Sequence, residues 1–195
     1  MPILDQAARQ FGAHVGFEHH AFELRPDPVP LLDPKGEYIQ EHWRNRVRPM
    51  AEERGLVMNI PPVQTRTRRA HETAAFARAQ GQLAPVDRAL FRAFFEQGLD
   101  INAPEVLGRI VEEAGLDPAE LRMALGTRAF DEEVTTDIAL AQRLGIRSVP
   151  TMLVADASGR AEPVIGAVPY EDLEAAINRA IERTKAGPAE AGPQS

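Results

Sequence analysis

Cysteine and histidine carry the chemistry that is easiest to recognise in a sequence, and this chain lacks the first. Its 195 residues include no cysteine and five histidines. Without cysteine the chain itself forms no disulfide, no thiolate metal site and no cysteine nucleophile. His19 and His20 are adjacent, so on a strand they would point to opposite faces and could not share a metal ion. Because His14, His42 and His71 also lack ligand-like spacing, we predict no metal site and no cofactor.

A short basic segment around His71 is the next candidate for chemistry. Arg66, Arg68 and Arg69 carry planar guanidinium groups, which bind carboxylates in a fork-like geometry. The segment could therefore hold an acidic ligand such as glutathione, although a solvated basic face is the interpretation that we prefer. For His71 we favour a helix-packing or hydrogen-bonded role over catalysis.

A Val-Pro pair is the third candidate. It lies in the segment "GIRSVPTMLV", Gly145 to Val154, between the end of a predicted helix and an apolar strand. Peptide bonds that precede proline adopt the cis form far more readily than other peptide bonds. No glycine-rich phosphate loop and no nucleophilic serine motif accompany the pair.

Composition narrows the class of protein and its partners. Acidic residues number 29 against 22 basic ones, a net charge of −7, and hydrophobic residues make up 44%. This balance is typical of a globular protein and argues against a general nucleic-acid-binding face. No apolar run approaches the length of a membrane span, and the opening "MPILDQAARQFG" does not resemble a signal peptide. We therefore predict no nucleic-acid partner, no membrane association and a cytoplasmic location.

The elements that must position these candidates follow from hydrophobic spacing. Ile3, Leu4, Ala7, Ala8 and Phe11 predict an amphipathic helix that ends at Gly12. His14 to Leu24 predicts a strand, and Glu37 to Leu144 is mostly helical. One of these helices has Asp117 as its N-cap and Pro118 as its first residue. The phenylalanines of another, Phe91, Phe94 and Phe95, are predicted to pack between helices.

The pattern changes after Gly145. Residues 150–156 and 160–167 predict a hairpin, in which Pro163 indicates an edge position because proline cannot donate to a neighbouring strand. A last amphipathic helix runs from Pro169 to Thr184. We predict a discontinuous domain of residues 1–36 and 145–184, a helical insertion of residues 37–144 and a disordered tail of residues 185–195.

This order of elements resembles the thioredoxin-like α/β fold of the DsbA type, in which a helical insertion precedes a cis-proline hairpin. Six blocks resemble the FrnE-like branch of DsbA-family thiol–disulfide oxidoreductases: "AFELRPD", "TRRAHETAAFARAQG", "ALFRAFFEQGLDI", "VLGRIVEEAGLD", "LGIRSVPTMLV" and "IGAVPYEDLEAAI". The resemblance runs from about Leu4 to Ile181. It implies a cis Pro150 and a substrate-docking role for Val149, Pro150 and Thr151, with protein or small-molecule disulfides and thiols, including glutathione, as partners.

One departure from the family concerns the start of the chain. In the family a first strand leads into Cys-x-x-Cys, whereas here Met1 falls within the following helix. That strand is central in the family's sheet, so its loss leaves two unpaired ladders, and each buried unpaired amide costs about 1–3 kcal/mol. We therefore expect a true start upstream of Met1, with the catalytic cysteines there and none in this chain.

Two alternatives stay open at this point. The first is a module that binds extended peptides or a partner without redox chemistry, in the manner of a chaperone. The second is a glutathione-dependent isomerase or transferase of the related kappa-like group, whose members use serine rather than cysteine near the first helix.

Overall fold

Helices and one two-stranded sheet make up the part of the chain that the computed structural model describes, residues 2–62 and 64–187. The α-helices are α1 (Pro2–Phe11), α2 (Glu37–His42), α3 (Arg48–Glu53), α4 (Arg68–Ala79), α5 (Leu83–Phe91), α6 (Pro104–Glu113), α7 (Pro118–Thr127), α8 (Asp131–Arg143) and α9 (Tyr170–Ala186). The strands are β1 (Thr151–Ala155) and β2 (Ala161–Ile165). A 3-10 turn covers Gly12–His14, and π-helical turns cover Trp43–Val47 and Arg92–Glu96.

The described residues fall into two compact units. Those of Met1–Phe17 and Leu144–Ser195 form the smaller unit, and those of Glu18–Arg143 form the larger one. Residues 18–36 thus belong to the same compact unit as the helices of the larger unit. The predicted division of the chain into domains at residues 36 and 145 stays a prediction. Of the predicted tail, residues 185 and 186 are the end of α9, and residues 188–195 lie outside the described residues.

The smaller unit has its core where α1, α9 and the hairpin meet. Ala7, Leu173 and Ile177 are buried there, and they pack against partly buried Ile3, Leu4, Phe11, Val15, Met152, Val154, Tyr170 and Ile181. The predicted apolar stripe of α1 supplies four of these residues. The hydrophobic periodicity of α1 and α9 therefore identified this core correctly.

The larger unit has a helical core centred on α4 to α8. Leu107, Val111, Leu121, Val86 and Val134 are almost fully buried. The predicted cap of α7 forms as expected: Asp117 Oδ1 accepts the Ala119 N–H at 2.7 Å, and Pro118 opens the helix. Such a cap stabilises a helix because it satisfies an otherwise unpaired N–H of the first turn.

The three phenylalanines on α5 and its π-helical turn share the predicted role only in part. Phe94 packs against the core of the larger unit. Phe91 is 47% exposed and stacks on Phe95 with ring centroids 6.0 Å apart. The prediction that Phe91 packs between helices is therefore wrong, because helical spacing cannot distinguish the rim of a buried stripe from its centre.

The prediction of a strand from His14 to Leu24 is also wrong. His14 ends the 3-10 turn, and the segment from Val15 to Leu24 pairs with no other strand among the described residues. A strand requires a neighbour that satisfies its backbone groups. Here side chains of the larger unit bind some of these groups instead.

Candidate functional site

The three predicted docking residues lie together at the start of β1. The peptide bond between Val149 and Pro150 is cis. The Gly166 N–H donates to the Pro150 carbonyl oxygen at 2.8 Å, and the Thr151 hydroxyl donates to the Ser148 carbonyl oxygen at 2.8 Å. These two hydrogen bonds hold the loop that leads into the hairpin.

The register of the hairpin determines which backbone groups of β1 remain available. Thr151 pairs with Ile165 and Ala155 with Ala161, in antiparallel order. Hydrogen bonds from Gly166 to Pro150 and from Asp156 to Arg160 flank the ladder at both ends. Hydrogen-bonded and non-hydrogen-bonded pairs alternate in such a ladder. The N–H and C=O groups of Thr151, Leu153 and Ala155 therefore point to the outer edge of β1.

Pro163 fits this register without a lost hydrogen bond. It lies opposite Leu153, in a pair whose backbone groups face away from each other. Its missing N–H would have pointed to the outer edge of β2, which has no further strand among the described residues. The predicted edge position of Pro163 is confirmed.

One face of the hairpin is apolar and open. Val149, Leu153 and Ile165 are 47%, 42% and 61% exposed, respectively. The opposite face, which includes Met152 and Val154, packs on α1 and α9. Alternation along β1 thus divides the strand into a buried face and an exposed apolar one.

A charged network fixes the turn of the hairpin. Asp156 accepts hydrogen bonds from the Ser158 hydroxyl and N–H and from the Arg160 N–H, and Arg183 Nε donates to its second oxygen at 2.8 Å. These donors, with the Ser158 hydroxyl foremost and Arg183 second, lower the pKa of Asp156 to about 2. The carboxylate therefore stays ionised at neutral pH and joins the turn to α9.

A second site of interest lies in the larger unit, where side chains of α4 and α8 hold the segment that we expected to be a strand. Arg78 donates to the His19 carbonyl oxygen at 2.8 Å, and the His71 ring donates to that of Phe22 at 3.2 Å. Asp137 accepts the Ala21 N–H at 2.8 Å, and its other oxygen lies 2.7 Å from His20 Nδ1. Side chains thus replace a neighbouring strand as hydrogen-bonding partners.

His71 is a structural residue in this arrangement. Burial lowers its pKa, although the hydrogen bond to Phe22 opposes that shift. A neutral imidazole that donates to a carbonyl oxygen is consistent with the hydrogen-bonded role that the sequence favoured over catalysis.

Two of the three arginines near His71 are held within the protein, and the third, Arg69, is exposed. Arg66 donates to the carbonyl oxygens of Arg25 and Val29, both at 2.7 Å. Arg68 binds Asp131, and Arg69 donates to the Asn102 carbonyl oxygen at 3.4 Å. The predicted solvated basic face is therefore wrong for Arg66 and Arg68, because the sequence alone does not reveal partners that lie up to 67 residues away, as Thr135 does from Arg68.

Neither a candidate membrane span nor a candidate metal site lies among the described residues. Within that part of the chain, no helix combines the length and the apolar character needed to cross a membrane. The same residues contain no group of three or more histidine or acidic side chains that could hold a metal ion.

Sequence reasoning missed Leu153 and Ile165, which extend the apolar surface beside Val149. The available signal for Leu153 is the alternation along residues 149–155, which places it on the face opposite Met152 and Val154. Ile165 shares that face because it pairs with Thr151 in the hairpin. The apolar run of this strand obscured the alternation, because a continuous apolar run does not reveal which face is covered.

Comparisons with known proteins give consistent results. Residues 1–178 match the model of the DSBA-like thioredoxin domain. The protein YwbO of Bacillus subtilis is 33% identical over 149 residues, which are 74% of each chain. The crystal structure of a probable DsbA oxidoreductase from Streptomyces coelicolor has a TM-score of 0.72 at 23% identity and covers 99% of this chain and 85% of its own. That likeness confirms the predicted thioredoxin-like fold of the DsbA type.

Proposed function

We propose, since this chain belongs to the family of DSBA-like thioredoxin domains, that it serves thiol–disulfide exchange by docking an extended segment of the substrate along the outer edge of β1. Because six sequence blocks of the chain resemble the FrnE-like branch of that family, we place the chain in that branch. The observation that carries the proposal is the outer edge of β1, which pairs with no further strand among the described residues and lies beside an exposed apolar face.

The docking step would use β-augmentation, in which a peptide adds a strand to a sheet edge. Outward N–H and C=O groups of Thr151 and Leu153 would pair with the backbone of the substrate. Val149, Leu153 and Ile165 would contact alternate apolar side chains of the same segment. Pro150 would fix the loop before the edge, so that Val149 and Thr151 flank the point where the substrate enters.

Exchange itself needs a thiolate that this chain does not contain. A thiolate attacks a disulfide sulfur through a mixed-disulfide intermediate. With no cysteine among the 195 residues, the thiolate has to come from outside them. We propose protein or small-molecule disulfides and thiols as partners, with glutathione among them, and a cytoplasmic location. Since Arg66 and Arg68 are engaged within the protein, and Arg69 alone offers no cluster of guanidinium groups, we assign the three arginines no role in holding glutathione.

A non-catalytic peptide-binding module is the second candidate, because the exposed apolar side chains beside the free edge need no redox partner to bind an unfolded chain. The two proposals share the docking edge and differ in substrate. A redox-linked site would speed exchange between a docked disulfide peptide and an added thiol such as glutathione, whereas a chaperone-like site would bind that peptide and leave the exchange rate unchanged.

Binding of labelled peptides to the 195-residue protein tests the shared edge. We expect an extended apolar peptide to bind, and Leu153→Lys to weaken it about tenfold, because a charge replaces an apolar contact worth about 1.5 kcal/mol or more. Met123→Lys is the matched control, since Met123 is also exposed, at 65%, but lies on α7.

N-methylation of alternate peptide bonds in the ligand adds a second arm, because it removes donors that strand pairing needs. We expect binding to fall when the edge-facing amides are methylated and to persist when the others are. Equal binding by Leu153→Lys and Met123→Lys, or by both methylated peptides, would contradict docking at β1.

A further inference from the structure

A groove separates α5 from α6 on the surface of the larger unit. It has a volume of about 260 Å³, and Ala89 and Ile110 are among the residues that line it. A smaller hollow of about 50 Å³ shares these two residues and extends the groove toward Arg109.

The floor of the groove is apolar. Ala89 and Ile110 are 7% and 5% exposed, so what remains open of them faces the groove. An apolar floor in a concave site favours ligands with hydrocarbon parts. The volume lies slightly below the range of usual small-molecule pockets, which selects for a small ligand.

The rim of the groove is positively charged, in a chain whose net charge is −7. Arg88 and Arg92 lie four residues apart on the α5 side, and Arg109 lies on α6. Glu113 is the one acidic residue among the residues that line the groove, and its Oε2 is 3.5 Å from Arg92 Nη2. Both of these side chains are more than half exposed, so their ion pair is weak.

Arg109 in particular has no competing partner. No hydrogen bond or ion pair joins it to another residue in the described part of the chain. Guanidinium groups bind carboxylates and phosphates through paired N–H donors. An unpaired guanidinium group above an apolar floor thus matches an anionic head group attached to a hydrocarbon body.

We propose that this groove binds a small organic anion, a carboxylate or a phosphate attached to a short hydrocarbon chain. The hydrocarbon lies on Ala89 and Ile110, and the anionic group lies between the guanidinium groups of Arg88, Arg92 and Arg109. This site belongs to the larger unit and needs neither β1 nor a cysteine, so it is independent of the proposed thiol–disulfide function.

Titration of the isotope-labelled 195-residue protein, followed by NMR, tests the proposal. Hexanoate and hexyl phosphate are the probes, and hexylamine is the control with the same hydrocarbon and the opposite charge. We expect saturable shifts confined to α5 and α6 with both anions, weaker binding at high salt, and none with hexylamine. A response to one anion alone identifies which head group the site prefers.

Variants test which residues bind the head group. We expect Arg109→Gln and Arg88→Gln each to weaken binding about three- to tenfold, and Glu113→Gln to strengthen it. Arg122→Gln, the same change at an exposed arginine on α7, should leave affinity unchanged. The proposal is overturned by shifts that do not saturate or that spread over the chain, by equal binding of hexylamine, or by equal affinities of the Arg109 and Arg122 variants.

Discussion

Replacing Arg68 with methionine should strongly destabilise the larger unit. The Arg68 guanidinium donates to the side chain and carbonyl oxygen of Asp131 and to the Thr135 hydroxyl. It also lies 3.7 Å from Glu23 Oε1 and 3.5 Å from Glu72 Oε1. One cation thus joins α4, α8 and the segment before α2.

The magnitude follows from what the substitution leaves behind. The side chains of Glu23 and Glu72 are only 9% and 7% exposed, and both would lose their neighbouring cation. Removing one partner of a buried ion pair costs about 3–5 kcal/mol. Arg68 is 27% exposed, so we expect the low end, about 3 kcal/mol, because solvent screens part of the interaction. Methionine retains most of the packing of the arginine stem.

The loss of stability in the Arg68→Met variant should also depend on pH. Burial raises the pKa of Glu72, and Arg68 opposes that rise. A carboxyl group with a raised folded-state pKa contributes stability that is fully present below its unfolded pKa and is lost as pH rises through the folded pKa. Without Arg68 the folded pKa of Glu72 rises further. The destabilisation should therefore be larger at about pH 8 than at about pH 5.

Urea unfolding followed by tryptophan fluorescence measures this effect where it occurs. Trp43, the single tryptophan, lies in the larger unit. Arg122→Met serves as the matched control on the exposed face of α7. Adding Glu72→Gln to Arg68→Met should recover part of the loss, because it removes a buried charge that has lost its partner. Equal stability of the two methionine variants, or a loss that does not change with pH, would refute this account of the cluster.

Two further predictions concern the backbone and the hairpin turn. Gly98→Ala should cost about 2 kcal/mol of stability, because Gly98 has φ +66° and a Cβ there would lie 2.8 Å from Pro62 Cδ. Gly126→Ala, inside α7 with open space around it, should instead stabilise the protein by about 0.5–1 kcal/mol. Chemical denaturation compares the two variants. Asp156→Asn should flatten the acid unfolding curve of the smaller unit by circular dichroism. Because the pKa of Asp156 is lowered in the folded protein, its ionised carboxylate contributes stability above the unfolded pKa, near 3.9. That stability is lost as pH falls through the folded pKa of about 2. Identical curves between pH 4 and pH 2 would rule out this role of Asp156.

The position of the candidate site could be predicted from sequence, and its binding surface could not. Val149, Pro150 and Thr151 lie at the start of a strand, as the break between a helical and an apolar segment indicates. The availability of the Thr151 and Leu153 backbone depends on the register with β2, which pairs residues up to 14 positions apart. Exposure of Leu153 and Ile165 likewise depends on which face of the hairpin α1 and α9 cover.

Local interactions explain what the sequence by itself determined. The stripe of α1, the cap at Asp117 and the hairpin each depend on residues a few positions apart, so periodicity and turn chemistry reveal them. The blocks that resemble the DsbA family also lie in continuous segments.

Tertiary structure decided the rest, because the deciding partners are distant along the chain. The segment from His14 to Leu24 forms no strand, since Arg78, His71 and Asp137 bind its backbone groups in place of a neighbouring strand. Arg68 is an internal ion-pair centre because folding brings Asp131, 63 residues away, within hydrogen-bonding distance. No pattern within a short window of sequence contains that information.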